Sequence, residues 1–367
     1  MPEAVSLNQR YQDQLQNKVE RLRSLFAAFN IPEIEVFPSK PTQYRMRAEF
    51  RIWHNEDRCF YAMFKPGNKN EPYEVSTFPA GSPTIQTLMP KLLAEINDSE
   101  ALRRKLFQIE FLTSQTGESC ITLIYHRQLD QQWQEEAKRL NQKLNSHIIG
   151  RARKQKLCID SDYIEETLTV NGQHYYYQQV ENSFTQPNAF ICEKMLEWAQ
   201  ASASHCSGDL VELYCGNGNF TVALAHLFPK VLATEISKVS VKSALHNLES
   251  NQINNVVIAR MSSEEFTQAM NRERTFRRLK DISLDDYNLD TIFVDPPRAG
   301  LDAETEKLVQ RFKHIIYVSC NPATLQHNLT TLAQTHEIQR LALFDQFPFT
   351  DHIETGVLLT KKLDNVG

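Results

Sequence analysis

No apolar run in the 367-residue sequence approaches the roughly 18 residues of a bilayer-crossing helix, so no membrane-spanning segment is expected. The polar, amphipathic beginning does not read as a secretory signal. Paired cysteines are missing as well. Cys59, Cys120, Cys158, Cys192, Cys206, Cys215 and Cys320 are scattered, odd in number and never spaced as CxxC. That pattern argues against a zinc site, an iron–sulfur cluster or a disulfide framework, and it fits a reducing cytoplasm. Nor is there an excess of positive charge. The 40 Lys and Arg against 45 Asp and Glu leave a net charge of -5, which speaks against a generally basic, non-specific nucleic-acid binder. A local basic face stays compatible with it, because local potential steers a polyanion. With 41% apolar and 23% charged residues, a water-soluble globular protein of two or three domains is expected.

What is present falls into two halves. Tyr11, Leu15, Val19, Leu22, Phe26 and Phe29 recur at helical spacing, which predicts an amphipathic packing helix. Next, Met46, Ala48, Phe50 and Ile52 alternate with Arg45, Arg47, Glu49 and Arg51, which predicts a half-buried strand showing three arginines to solvent. Further strands are expected over 59–64, 106–113 and 120–126, helices over 84–96 and 129–144, and a polar turn at 67–70. Basic residues cluster beside them (Arg103, Arg104, Lys105; Arg151, Arg153, Lys154, Lys156), with Phe107, Phe111, Tyr125 and His126 interleaved. Guanidinium groups suit phosphates and flat rings suit unstacked bases, so this sheet is an expected RNA platform.

From about Tyr175 strands and helices alternate to the end, interrupted by a charged insertion over 271–288 that carries Arg272, Arg274, Arg277, Arg278 and Lys280. Alternation predicts a parallel sheet with helices on both faces and a binding crevice at the carboxyl ends of its strands. The expected division is an N-terminal α+β RNA-binding region over 1–174 and a Rossmann-like catalytic domain over 175–367.

The second half is organised around Asp209–Phe220, where an apolar strand runs into Gly216-Asn217-Gly218-Asn219 and then a helix. Glycines let backbone approach a ligand where a Cβ would collide. The next strand ends in Glu235, an acid able to accept both hydroxyls of a ribose. Thr221 stands where a dinucleotide fingerprint has its third glycine, so a ligand without a pyrophosphate, such as S-adenosylmethionine, is the better match. A second strand end carries Asp295-Pro296-Pro297-Arg298, whose prolines fix a rigid loop and aim the carboxylate into the crevice. A third carries Cys320, between Ser319 and Asn321 at the turn into a helix, where backbone dipoles favour a thiolate. A thiolate suits one chemistry well. Attack on C6 of uracil makes C5 nucleophilic toward a methyl group, and a base must then remove the C5 proton before the cysteine leaves. His352 or Glu354, just before the last strand, can be that base.

Taken together, Glu-Leu-Tyr-Cys-Gly-Asn-Gly-Asn-Phe (212–220), Asp-Pro-Pro-Arg (295–298), Ser-Cys-Asn-Pro (319–322) and His-Ile-Glu-Thr-Gly (352–356) resemble the RNA 5-methyluridine methyltransferases. Glu-Asn-Ser-Phe-Thr-Gln-Pro-Asn (181–188) and Tyr-Arg-Met-Arg-Ala-Glu-Phe-Arg (44–51) resemble the branch that methylates the T-loop uridine of tRNA, position 54. The resemblance implies an α/β, class I Rossmann-like S-adenosylmethionine-dependent methyltransferase fold. It implies Cys320 as nucleophile and Glu354 as base, with Gln186, Tyr214, Asn219, Glu235 and Asp295 around S-adenosylmethionine. Its implied partner is the T-arm of tRNA, extending to tRNA-like RNA such as tmRNA, for a cytoplasmic monomer that needs no metal. Two other readings stay open at this point: the same chemistry on 23S ribosomal RNA, and a tRNA-folding protein whose methylation is secondary.

Overall fold

Short β-branched and leucine-rich runs alternate with amphipathic segments through most of the chain, and the strands they form assemble into two separate large sheets. A computed structural model describes residues 6–56, 58–65 and 68–363. The chain divides into two compact units, one of residues 1–41, 168–177 and 190–367, the other of residues 42–167 and 178–189. The division at 174/175 expected from sequence therefore differs from the observed one. The first helix and strand join the catalytic sheet, and a later segment joins the N-terminal one.

In chain order, α1 (Leu7–Leu25) and β1 (Ile34–Phe37) come first. The second unit follows with β2 (Arg47–Asn55), β3 (Arg58–Lys65), β4 (Asn68–Glu74), α2 (Pro83–Asp98), α3 (Glu100–Arg103), β5 (Leu106–Thr113), β6 (Ser119–Tyr125), α4 (Gln131–Leu144), β7 (His147–Ala152) and β8 (Gln155–Ile159). A hairpin of β9 (Tyr163–Val170) and β10 (Gln173–Val180) leads on. Next are α5 (Ala189–Ala203), β11 (Asp209–Leu213), α6 (Asn219–Leu224), β12 (Val231–Thr234), α7 (Lys238–Ser250), β13 (Val256–Ala259) and α8 (Ser263–Met270). The chain closes with β14 (Leu289–Val294), α9 (Ala303–Val309), β15 (His314–Ser319), α10 (Pro322–Thr335), β16 (His336–Phe344) and β17 (Glu354–Lys361).

The first unit is built on an eight-stranded sheet in the order β1-β16-β17-β15-β14-β11-β12-β13. Its pairs are parallel except where β17 runs antiparallel to β15 and β16. From β11 the chain steps outward to β12 and β13, then crosses back to β14 on the other side of β11. That reversal is the switch point at which open α/β sheets bind ligands. β11, β12, β14 and β15 are almost wholly buried along their length, which is why they read as continuous apolar runs without alternation.

The second unit holds a seven-stranded sheet, β4-β3-β2-β5-β6-β7-β8, antiparallel except for the β6–β7 pair, whose parallel crossover is α4. Phe50, Ile52, Tyr61, Phe111, Leu123 and Tyr125 face a core shared with α2 and α4. Trp133 of α4 comes so close that a Cβ on Gly150 would lie 2.4 Å from its ring, so that position must be glycine. β1, β4 and the run from β7 to β10 escaped sequence reading. β1 is only four residues long, and β7 and β8 were hidden by the basic cluster that their hairpin carries. Of the turn expected at 67–70, Gly67 lies outside the described residues and Asn68 to Asn70 open β4.

Candidate active site

Five of the seven residues singled out for the site stand at strand ends of the first unit, on the edge predicted for the crevice. Tyr214 follows β11 with a left-handed backbone (φ 62°), and its hydroxyl donates to Ser263 Oγ at 2.8 Å. Glu235 follows β12; its carboxylate accepts Gly216 N–H at 3.0 Å and Ser237 N–H at 2.7 Å. The acid thus anchors the glycine turn while staying half-exposed to a ligand. Asp295 follows β14, Cys320 follows β15, and Glu354 opens β17.

Asn219, the sixth, is the first residue of α6, entered through Gly218 in the left-handed conformation (φ 80°). Its carbonyl accepts the Tyr177 hydroxyl at 3.0 Å and its Oδ1 accepts the Cys192 thiol at 3.4 Å. Its Nδ2 is buried with no acceptor in the chain, a donor left for a ligand carboxylate or carbonyl. A half-exposed acid, an orphaned amide donor and a two-glycine turn fit S-adenosylmethionine, which offers vicinal hydroxyls and an amino-acid tail. Gln186, the seventh, lies half-buried in the 178–189 segment of the second unit.

The antiparallel return of β17 brings Cys320 and Glu354 together. Ser319 pairs with Thr355, so Cys320 and Glu354 are the next residues beyond that pair, at the carboxyl end of β15. Glu354 is 5% exposed; burial, then the charge of Asp295, pushes its carboxyl well above the usual range. Burial raises Asp295 to about 7. The thiol of Cys320 is pushed up to about 11 by burial and by the carboxylates of Glu354 and Asp295, against a smaller downward pull from Arg298. The thiolate expected from the α10 N-terminus is therefore not the resting form; burial first, and the neighbouring acids second, keep the proton on sulfur.

Two loops are tied around Cys320. Asn321 caps α10 by accepting Ala323 N–H at 3.2 Å, and its Nδ2 donates to Arg298 O at 3.0 Å. Thr324 Oγ1 donates to the same carbonyl at 3.2 Å. Arg298 donates to His352 Nδ1 at 3.1 Å. That contact uses the lone pair a basic histidine needs, and His352 is exposed, so of the two candidate bases Glu354 has the better placement. A cleft of about 590 Å³ opens here, lined by Arg298, Cys320, Asn321, His352 and, from α1, Arg21 and Leu25. α1 as part of this wall was not legible in sequence.

In the second unit the expected RNA face is narrower than sequence suggested. Phe111 and Tyr125 are core residues, 1% and 2% exposed. Arg47 donates to the carbonyls of Glu181 and Ser183, and Arg151 pairs with the Glu181 carboxylate at 2.5 Å, so both are spent internally. Arg51 remains exposed, its guanidinium 3.8 Å from the centre of the Phe107 ring, which stacks on His126 at 4.1 Å. Phe107 reaches this face because a β-bulge between Leu106 and Gln108 breaks the alternation of β5. A groove of about 500 Å³ beside it is lined by His126, Arg127 and Arg153. Phe184, 73% exposed, was not singled out from sequence, although a ring two residues from a proposed ligand residue was a usable signal.

The charged insertion leads into the amino end of β14, the opposite edge from the crevice, and pairs its own cations: Arg272 with Asp285 at 2.8 Å and Arg278 with Glu265 at 3.1 Å. Among the described residues no group of His, Cys, Asp and Glu could hold a metal ion, and no helix is long and apolar enough to cross a membrane.

A family model described as tRNA (uracil-5-)-methyltransferase matches residues 10–362. A tRNA/tmRNA (uracil-C(5))-methyltransferase of Saccharophagus degradans is 57% identical over 353 residues, covering 96% of this chain and 97% of that protein. One of the same description from Vibrio parahaemolyticus is 57% identical over 361 residues, covering 96% and 98%. The crystal structure of Pyrococcus abyssi tRNA (uracil-54, C5)-methyltransferase in complex with S-adenosyl-L-homocysteine superposes with a TM-score of 0.71 at 21% identity, over 95% of this chain and 83% of that one. That likeness establishes the shared fold.

Proposed function

The chain belongs to the tRNA (uracil-5-)-methyltransferase family, and on that premise we propose that it methylates C5 of uridine 54 in the T-loop of tRNA, and the matching uridine of tmRNA, using S-adenosylmethionine. The observation that carries the mechanism is the meeting of Cys320 and Glu354 across the antiparallel β15–β17 pair. S-adenosylmethionine supplies an electrophilic methyl group. Cys320, its thiol proton passed to solvent, adds as thiolate to C6 of the uracil, and the resulting enolate takes the methyl group at C5. Glu354 removes the proton left on C5, and the enolate expels the Cys320 thiolate, restoring the C5–C6 double bond. Tyr214, Asn219, Glu235 and Asp295 hold the methyl donor in this reading. The base must leave the T-loop stack for this to occur. The stacked Arg51, Phe107 and His126 offer a flat, cationic surface for loop bases.

Incubating unmodified tRNA transcript with methyl-labelled S-adenosylmethionine tests the assignment. One methyl group should enter per tRNA, and none when uridine 54 is replaced by cytidine. Label retained in the cytidine transcript would refute the position.

Phe107→Ala should raise KM for tRNA roughly 5- to 150-fold, the loss of about one stacked base, with kcat nearly kept. Steady-state methylation over a range of tRNA concentrations separates the two. The pH profile follows from the raised pKa values. Cys320 and Glu354 act without their protons, and raising an acid's pKa enlarges its protonated, inactive share at a given pH. kcat/KM should therefore keep climbing between about pH 6 and 9, where an ordinary carboxylate would already have levelled off. A flat profile at constant ionic strength would contradict this.

A further inference from the structure

The side of α1 that faces the β16–β17 connection carries a lysine on its buried stripe. Lys18 is 3% exposed, and its Nζ donates to Asp345 Oδ1 at 2.6 Å and to Phe347 O at 2.9 Å; Asp345 is fully buried. A packing helix has no need of such a pair, since burying two charges costs more than an apolar contact of the same volume.

Tyr11, Gln14, Lys18 and Arg21 follow one another at three, four and three residues, one face of a helix, and all four reach residues 345–351. The Tyr11 ring meets the Phe349 ring edge-on at 5.9 Å. Gln14 Nε2 donates to Thr350 O at 2.7 Å and its Oε1 accepts Phe349 N–H at 3.3 Å. Arg21 donates to Asp351 O and lies 3.8 Å from its carboxylate. Between these contacts Phe349 holds a left-handed backbone (φ 60°), a conformation a bulky residue keeps only where its surroundings enforce it. The connection ends in His352, Ile353 and Glu354.

We infer that α1 is a brace for this connection, with Gln14 and Lys18 as positioning residues that hold Glu354 against the C5 proton. The inference rests on Glu354 being the base. Loosening the brace slows proton removal more than C6 attack, because Glu354 opens β17 at the end of the braced connection, whereas Cys320 directly follows the central strand β15 and opens toward α10. The covalent enzyme–RNA species then accumulates on ordinary uridine. A loss of structure alone lowers that species.

The test uses Gln14→Ala, half-exposed and safe for folding, and the pair Lys18→Met with Asp345→Asn, which removes both buried charges together. Each full-length variant is given unmodified tRNA and S-adenosylmethionine, and the denaturation-stable adduct is measured with kcat and KM; Glu354→Gln is run alongside. The expected result is kcat reduced about 10- to 100-fold, KM for tRNA within about twofold, and a several-fold larger adduct fraction than wild type. Unchanged kcat and adduct in both variants would reduce α1 to a packing helix and overturn the brace. Reduced kcat with reduced adduct would overturn it too. Absence of adduct in Glu354→Gln itself would instead remove the base assignment on which the brace depends.

Discussion

Cys320→Ala abolishes both methylation and covalent capture of RNA, with kcat lowered by at least ~10⁴-fold, the usual scale for removing a covalent nucleophile. The informative substrate is tRNA transcript carrying 5-fluorouridine. Fluorine at C5 cannot leave as a proton, so after C6 attack and methyl addition the reaction stops with the Cys320 sulfur still bonded to carbon. Wild-type protein should then run on a denaturing gel as a methyl-labelled protein–RNA adduct, and the alanine variant should give none. The substitution is mild for the fold, because Cys320 lies past the end of β15 and is only half-buried. An adduct in Cys320→Ala would place the nucleophile elsewhere. No adduct in wild type, with methylation of ordinary tRNA intact, would remove covalent catalysis altogether.

Glu354→Gln produces the complementary result. The substitution keeps shape and removes the basicity, so C6 attack and methyl addition continue while C5 proton removal fails. Turnover should fall about 10²–10⁴-fold, the worth of a general base. A single methyl transfer should still occur, leaving an adduct on ordinary uridine that wild type does not accumulate. Glutamine also relieves the strain of burial that drives the carboxyl's pKa upward, so the variant should fold at least as well as wild type near neutral pH. A carboxyl whose folded pKa is raised contributes stability that is present below its unfolded pKa and lost as pH rises toward the folded one. Neutral glutamine has no such loss. Rapid multiple turnover by Glu354→Gln, without adduct, would leave Asp295 as the base to test next, since its carboxyl is the other one raised beside the thiol.

Much of the catalytic unit could be read from one dimension. From α5 onward strands and helices alternate to the end of the chain, as the apolar spacing predicts, and the strands pair into a largely parallel sheet. Buried parallel strands are short apolar runs separated by amphipathic helices, and that contrast is local. The chemistry was legible for the same reason: an acid, a cysteine and a glycine turn just past apolar runs must fall on one edge of a parallel sheet. His352 and Glu354 could not be separated in this way. They are two residues apart, and only the β15–β17 register and the Arg298 contact distinguish a buried acid beside Cys320 from an exposed, engaged imidazole.

In the second unit, alternation correctly placed Arg47 and Arg51 on one face of β2, yet their fates differ. Arg47 is consumed by carbonyls from a segment more than 130 residues later, and Arg51 lies on a ring that a β-bulge turned outward. Neither the bulge nor the distant segment leaves a periodic trace. The Cys320 thiol reversed a local expectation, because burial by the tertiary fold, and then Glu354 and Asp295 arriving from other strands, raise it, and none of these is visible in the nearby sequence.

By itself the sequence determined the order of elements in the catalytic unit, the edge of the sheet on which the candidate residues fall, and a short list of candidates there, since each depends on neighbours within a few positions. Tertiary structure alone decided which acid faces the thiol, how far its proton is held, which arginines remain for a ligand, and that Lys18 grips Asp345 across more than 300 residues. Those outcomes depend on burial and on contacts between remote strands, and no local pattern of residues encodes them.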